Sequence, residues 1–285
     1  MAKFHLMHCI PPNNPRMHGL IGYSEVIETV KWGLEMLGHK VSYAVNSFDG
    51  VATNIIFGAH LLPMQFLQTL PKDSVAYNFE QARGINPSDM PPAVAYIAEH
   101  FQIWDYSKAN LETWQQMSIN DAKLVPVGYA PILTRIHQLG IAIQDIDVLI
   151  YGLSGNKRLR VFDSLSNAGI KVVFVSGLYG EARDSLIARS KIVLNINLYS
   201  FAQIFEIVRV SYLLANKKAV VATLDENTAI EDDLINAVKF STLESITEDC
   251  AELLAREDKR LAFETAGFET IMKRDIRPIL ERALA

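Results

Sequence analysis

Short runs of β-branched and aliphatic residues alternate along this chain with longer stretches in which apolar positions recur every three to four residues. The short runs read as strands at 4–10, 41–45, 55–57, 74–77, 101–104 and 124–127. After Pro131 the pattern restarts, with runs at 147–151, 172–175, 192–196 and 219–222. In the first helical stretch Ser24 supplies a cap, Val26, Ile27, Val30, Leu34 and Leu37 form the apolar stripe, and Gly38 ends it. A short helix follows near 65–70, and Ser107 caps one that contains Leu111 and Trp114. Further helices are predicted at 158–168, 183–189 and 205–215, and two more, 246–256 and 268–283, close the chain. The run 219–222 is apolar at every position, so that strand is predicted to be buried on both faces.

Strands that alternate with helices predict an α/β fold of two Rossmann-like, doubly wound domains built on parallel sheets. The stretch 135–144 reads as the linker, which puts the N-terminal domain at 1–140 and the C-terminal one at 141–268. A closing segment, 269–285, is placed to pack back on the N-terminal domain.

Composition narrows the function classes. The 285 residues are 49% hydrophobic and 21% charged, enough apolar material for two cores. A net charge of −5 argues against an extensive phosphate-binding face, although a local basic groove, and with it a nucleic-acid partner, stays open. Two cysteines, Cys9 and Cys250, make neither a zinc site nor a disulfide framework and suit a reducing compartment. Without an apolar run of about 18 residues no transmembrane segment is expected, and a cytoplasmic location follows.

In open α/β sheets ligands bind beyond the carboxyl ends of the strands, so the turns there carry the candidate chemistry. In the turn after the strand 147–151, Gly152, Ser154, Asn156, Lys157 and Arg158 combine a close-approach backbone, a helix N-terminus and cationic charge. That set suits a phosphate or diphosphate. Gly177, Leu178 and Tyr179 follow the next strand, and Asn197, Tyr199 and Ser200 the one after. Glu206 and Arg209 share a helix face and read either as a holder of a ribose diol or as a simple ion pair. In the first half, His18, Glu80 and Asp105 are the candidate proton acceptors. The chain has neither a GxGxxG nor a GxxxxGK[ST] run, which weighs against a dinucleotide oxidoreductase and a P-loop NTPase. Asp145 and Asp147 form a DxD, but they precede their strand and so lie at the edge away from the ligand; they read as structural, and no metal is expected.

Two such halves, the basic Gly loop that opens the second, and the run from Ile192 through Asn197, Phe205, Glu206 and Arg209 to Ala222 resemble a GT-B glycosyltransferase. Within that fold the chain is most similar to the CgeB-like group of bacterial glycosyltransferases, related to glycosyltransferase family 1, most strongly over 147–270. The resemblance implies a nucleoside-diphosphate sugar, UDP-sugar favoured, held by the second half, and an acceptor held by the first. It implies transfer in a cleft between them without a metal or other cofactor. By position, 152–158 would hold the diphosphate and 176–179 would face the base. Asn197, Tyr199 and Ser200 would approach the sugar, and Glu206 the ribose or diphosphate. The glutamate pair of many retaining relatives is replaced here by Ile204 and Tyr212, and the glycine before the last strand by Lys217.

The leading expectation is therefore glycosyl transfer to an acceptor hydroxyl, on a saccharide or another hydroxyl-bearing molecule. A nucleotide-sugar 2-epimerase and a non-catalytic nucleotide-sugar-binding protein are the alternatives.

Overall fold

The computed structural model describes residues 1–10, 22–83, 85–86, 89–198 and 203–285. The chain divides into unit 1, Met1–Ala130 with Asp275–Ala285, and unit 2, Pro131–Arg274.

Unit 1 is built on a six-stranded parallel sheet of β1 (Lys3–His8), β2 (Lys40–Val45), β3 (Thr53–Phe57), β4 (Val75–Asn78), β5 (Gln102–Asp105) and β6 (Lys123–Leu124). Their spatial order is β2-β1-β3-β4-β5-β6, so the winding direction reverses beside β1. Leu6, Met7, Ile55, Ile56 and Phe57 are buried, and Phe57, Tyr77 and Trp104 carry ring contacts across β3, β4 and β5 at centroid distances of 5.6 and 5.8 Å. The first helix, α1 (Ser24–Met36), buries Val26, Ile27, Val30 and Leu34, and Gly38 beyond its end adopts φ +82°. Ser24 is the first helical residue and Tyr23 the cap position, with no side-chain cap. Ser107 does cap α4 (Lys108–Gln116), accepting from the Ala109 N–H at 3.2 Å. The other helices of this unit are α2 (Met64–Leu67) and α3 (Pro92–His100). The sequence pattern missed α3, although a proline at its first position is a recognisable start. The strand expected through 127 ends at Leu124, ahead of Pro126, which has no N–H to give a ladder.

Unit 2 carries five parallel strands: β7 (Ile146–Tyr151), β8 (Val172–Val175), β9 (Ser190–Asn195), β10 (Ala219–Thr223) and β11 (Lys239–Ser241). Their order is β11-β10-β9-β7-β8, so the chain runs from β7 to β8 on one side and then crosses to β9 on the other. One face packs Val148, Ile150, Ile192, Leu194 and Val221 against Val161 and Leu165 of α5 (Asn156–Asn167) and Ile246, Cys250 and Leu253 of α8 (Ile246–Ala255). Every residue of β10 is buried, as its unbroken apolar run requires. The remaining helices are α6 (Gly180–Arg189), α7 (Ile207–Ala215) and α9 (Glu257–Met272). The third residue of β11 reaches the sheet beside Thr223, a strand too short to register in the hydrophobic pattern.

The predicted helix 268–283 is two helices. Asp275 interrupts it, accepting from the Arg277 N–H at 2.9 Å and so capping a new helix, α10 (Ile276–Leu284), within unit 1. There Leu280 and Ile276 press on α1 at Gly33, where a Cβ would stand 2.7 Å from Leu280 Cδ1 and 2.8 Å from Ile276 Cγ2. A mid-helix glycine costs about 1 kcal/mol relative to alanine; here it lets two helices approach. Among the described residues no helix is long and apolar enough to cross a membrane.

Replacing Gly33 with leucine should overpack this contact and lower unit 1 stability by about 1–3 kcal/mol, read as a reduced urea midpoint at unchanged slope.

Candidate functional site

The reversal beside β7 and β9 marks where a ligand crevice forms in a doubly wound sheet, and the polar residues of unit 2 gather at that edge. Gly152, directly after β7, has φ +125°, and a Cβ there would stand 2.9 Å from Arg158 Nη1 and 3.2 Å from Arg209 Nη2. Only glycine accommodates both guanidinium groups at the strand end. Arg158 is 1% exposed; it donates through Nη1 to the Leu153 carbonyl at 2.7 Å and through Nε and Nη2 to the Ile196 carbonyl at 3.0 and 2.8 Å. Expected among the diphosphate ligands, this cation is turned inward and ties the turn after β7 to the segment after β9.

Lys157 and Arg209 are partly exposed at this edge. Lys157, in the first turn of α5, sits 3.3 and 3.5 Å from the carboxylate oxygens of Asp225. Gly155 stands at the N-cap of α5 and, having no side chain, leaves the first turn without a side-chain cap. Arg209 lies over the Tyr151 ring at 5.2 Å and 3.5 Å from Glu206 Oε2, which is also 4.0 Å from Arg158. Its Nη1 is buried and has no hydrogen-bond partner among the described residues. Burial pushes the Tyr179 hydroxyl up, and the neighbouring Arg209 and Arg183 charges oppose this. Ser154 and Asn156 are exposed beside Lys157, while Gly177 and Leu178 lie in the turn leading into Tyr179. Asn197 is 1% exposed; its amide donates to Asp225 Oδ2 at 3.4 Å, and its Oδ1 has no partner among the described residues. Asn195, at the end of β9, is fully buried with both amide atoms similarly unpaired. Tyr199 and Ser200 lie outside the described residues.

Asp225 was not foreseen from the sequence, although the same rule points to it: it is the second residue beyond a fully buried strand. Tyr212 donates its hydroxyl to Asp184 at 2.7 Å and accepts from Arg135 Nε at 3.1 Å. At the amino edge, Asp145 pairs with Arg189 at 2.6 and 2.8 Å and Asp147 with Lys191 at 2.6 Å. Among the described residues no group of three or more His, Cys, Asp or Glu side chains is arranged to hold a metal.

In unit 1, Glu80 follows β4. Its carboxylate accepts from the Tyr23 hydroxyl at 2.7 Å and has His60 Nε2 at 3.6 Å. Burial, then the Glu80 charge, holds the Tyr23 hydroxyl well above its ordinary value. Burial pushes the His60 imidazole down, and Glu80 pulls it back up. Tyr23 and His60 were not singled out in the sequence; His60 follows β3, directly beside the reversal at β1. Asp105 differs from Glu80. It is fully buried and accepts from Trp114 Nε1 (2.7 Å), Asn78 Nδ2 (2.8 Å), Asn110 Nδ2 (3.0 and 3.2 Å) and the Ser107 N–H (2.9 Å). Asn78 and Asn110 also donate to the Glu80 carbonyl, each at 2.9 Å. Asp105 therefore braces the loop that presents Glu80. His18 lies outside the described residues.

No protein-family model matches the chain. A curated relative, an uncharacterized protein of Acanthamoeba polyphaga mimivirus, is 26% identical over 167 residues, 55% of this chain; the chain spans about half (52%) of that relative's length. Among solved structures, Anabaena HepE in complex with UDP-glucose matches with a TM-score of 0.62 at 12% identity, covering 100% of this chain and 98% of that one. A glycosyltransferase from Rickettsia africae matches at 0.60 and 9%, covering 99% and 96%. WaaG, a glycosyltransferase involved in lipopolysaccharide biosynthesis, matches at 0.57 and 12%, covering 99% and 98%. The chain has the fold of GT-B glycosyltransferases: two α/β units with parallel sheets of six and five strands.

Burial pushes the Asp105 carboxyl up to about 6, against the four hydrogen bonds that lower it. The folded-state value lies above the unfolded one, so the native state binds the extra proton and stability falls as pH rises from about 4 to about 6. Urea unfolding at pH 4.5 and 7.5 should show wild type losing about 2 kcal/mol against Asp105→Asn, which does not titrate.

Proposed function

We propose that the chain is a glycosyltransferase that moves a sugar from a nucleoside-diphosphate sugar, UDP-sugar favoured, to an acceptor hydroxyl, and that it acts without a metal in the cytoplasm. The observation that carries this reading is the group at the β7–β9 reversal. Lys157 and the first turn of α5 follow β7, and Arg209, whose Nη1 has no partner among the described residues, lies on the helix after β9, where they supply the positive charge a diphosphate needs. The GT-B fold and the binding of UDP-glucose by HepE support the same donor class. On this reading the chain falls with the CgeB-like group, unit 2 takes the donor and unit 1 the acceptor, a saccharide or another hydroxyl-bearing molecule.

In the transfer, the acceptor oxygen bonds to the anomeric carbon while the bond from that carbon to the β-phosphate oxygen breaks. The nucleoside diphosphate leaves with the electron pair. The charge that develops on it meets Lys157, Arg209 and the α5 N-terminus, fixed cationic and dipolar groups that need little reorganisation. The acceptor's proton passes to a carboxylate, for which Glu80, 52% exposed and hydrogen-bonded by Tyr23, is the candidate; Asp105 is sequestered. Arg158 takes no direct part and holds the two turns together.

UDP at about 100 times its Kd should stabilise the protein by about 2.7 kcal/mol, read as a raised Tm with or without Mg²⁺. Lys157→Met and Arg209→Met should lose that shift while keeping a near-normal ligand-free Tm. Arg158→Met should itself lower the Tm, because two loop carbonyls lose their donors, at about 1–3 kcal/mol for each unpaired group. No shift from any nucleoside diphosphate would sink the proposal. Conversion of the donor alone would make the enzyme a 2-epimerase, and tight binding with neither transfer nor conversion a nucleotide-sugar-binding protein.

A further inference from the structure

We propose that Asp225 selects the donor's sugar by charge, accepting hydrogen bonds from a neutral, hydroxyl-bearing sugar and excluding one that carries a carboxylate. This rests on the reading of unit 2 as a nucleotide-sugar site and extends it to the class of sugar.

In a nucleoside-diphosphate sugar the sugar hangs from the terminal phosphate by one oxygen. A group in contact with the cation that neutralises that phosphate is therefore within reach of the sugar's hydroxyls. Asp225 is such a group, 3.3 and 3.5 Å from Lys157 Nζ and 36% exposed. Behind it lies Asn197, 1% exposed, whose Nδ2 donates to Asp225 Oδ2 at 3.4 Å. The partly exposed Asp225 carboxylate is an acceptor open to a ligand, and sugar hydroxyls are the donors that satisfy it.

Without ligand, Lys157 is the cation that neutralises Asp225. An arriving diphosphate competes for Lys157, and the carboxylate it displaces must find other donors or be left unpaired. Sugar hydroxyls supply them. A uronate would instead set a second negative charge against Asp225 in a partly desolvated site, where like charges repel more strongly than in water. Asp225 also competes with the phosphate for Lys157, so its charge weakens the bare nucleotide while favouring the right sugar. Opposite effects on two ligands are not what a purely structural aspartate would produce.

The test is calorimetric titration of the full chain with UDP, UDP-glucose and UDP-glucuronate, for wild type, Asp225→Asn and Asp225→Ala, with each variant's ligand-free Tm confirming that it folds. Wild type should bind UDP-glucose at least about tenfold more tightly than UDP-glucuronate, and either variant should close that gap to within about threefold. The variants should bind UDP itself about two- to fivefold more tightly, because Lys157 loses its internal competitor. A gap that persists in both variants, or its absence in wild type, overturns the inference. Weaker UDP binding in the variants overturns it too, since Asp225 would then be holding the nucleotide. Failure of wild type to bind UDP at all is a different result: it removes the reading of unit 2 as a UDP-sugar site and this inference with it.

Discussion

The carboxyl edge of unit 2 depends on one buried cation. Arg158 is almost wholly inaccessible, and it bonds the Leu153 carbonyl after β7 and the Ile196 carbonyl after β9, the two strands from which the chain departs in opposite directions. Burying a guanidinium is tolerable only when its donors are taken, so the requirement that Arg158 be satisfied also fixes where the two turns lie. Gly152 makes room for it. Lys157 is one residue from Arg158 in sequence yet differs in role because it stays partly exposed, paired with Asp225. Burial separates the cation that ties the two turns together from the one left in a part-exposed ion pair.

The accessible charges are self-neutralised. Lys157 faces Asp225 and Arg209 faces Glu206, so the ligand-free site carries little net charge and stands without help. On the proposed function, a chain with a net charge of −5 needs no extended basic face to take an anion there. On that proposal an incoming diphosphate competes with the carboxylates already paired with Lys157 and Arg209. Internal competition of this kind ties the strength of binding to what the rest of the ligand offers.

Unit 1 repeats the division with the sign reversed. Asp105 is buried and takes four sets of donors, two of which also hold the backbone carbonyl of Glu80. Glu80 stays half-exposed, with Tyr23 and His60 beside it. Of the two carboxylates at the ends of neighbouring strands, one organises a loop and the other is presented by it, and depth alone distinguishes them.

The sequence by itself determined the α/β class, most strands and helices, and the edge of each sheet at which to look, because strand and helix periods are local and because the direction of a parallel strand fixes which end carries the turns. It even placed the DxD at the amino edge: Asp145 precedes β7 and Asp147 stands near its start, and they meet Arg189 and Lys191 there. What it did not contain was depth and partnership. Arg158 and Lys157 are equally basic neighbours, and only packing against Ile196, 38 positions away, turns one inward. The pairing of Lys157 with Asp225 spans 68 positions, and that of Tyr23 with Glu80 spans 57. The break before α10 was locally legible in Asp275, yet its reason lies at Gly33, on a helix more than two hundred residues earlier. Side-chain roles were decided by which groups the folded chain removed from water, a property of three-dimensional neighbours that no local pattern encodes.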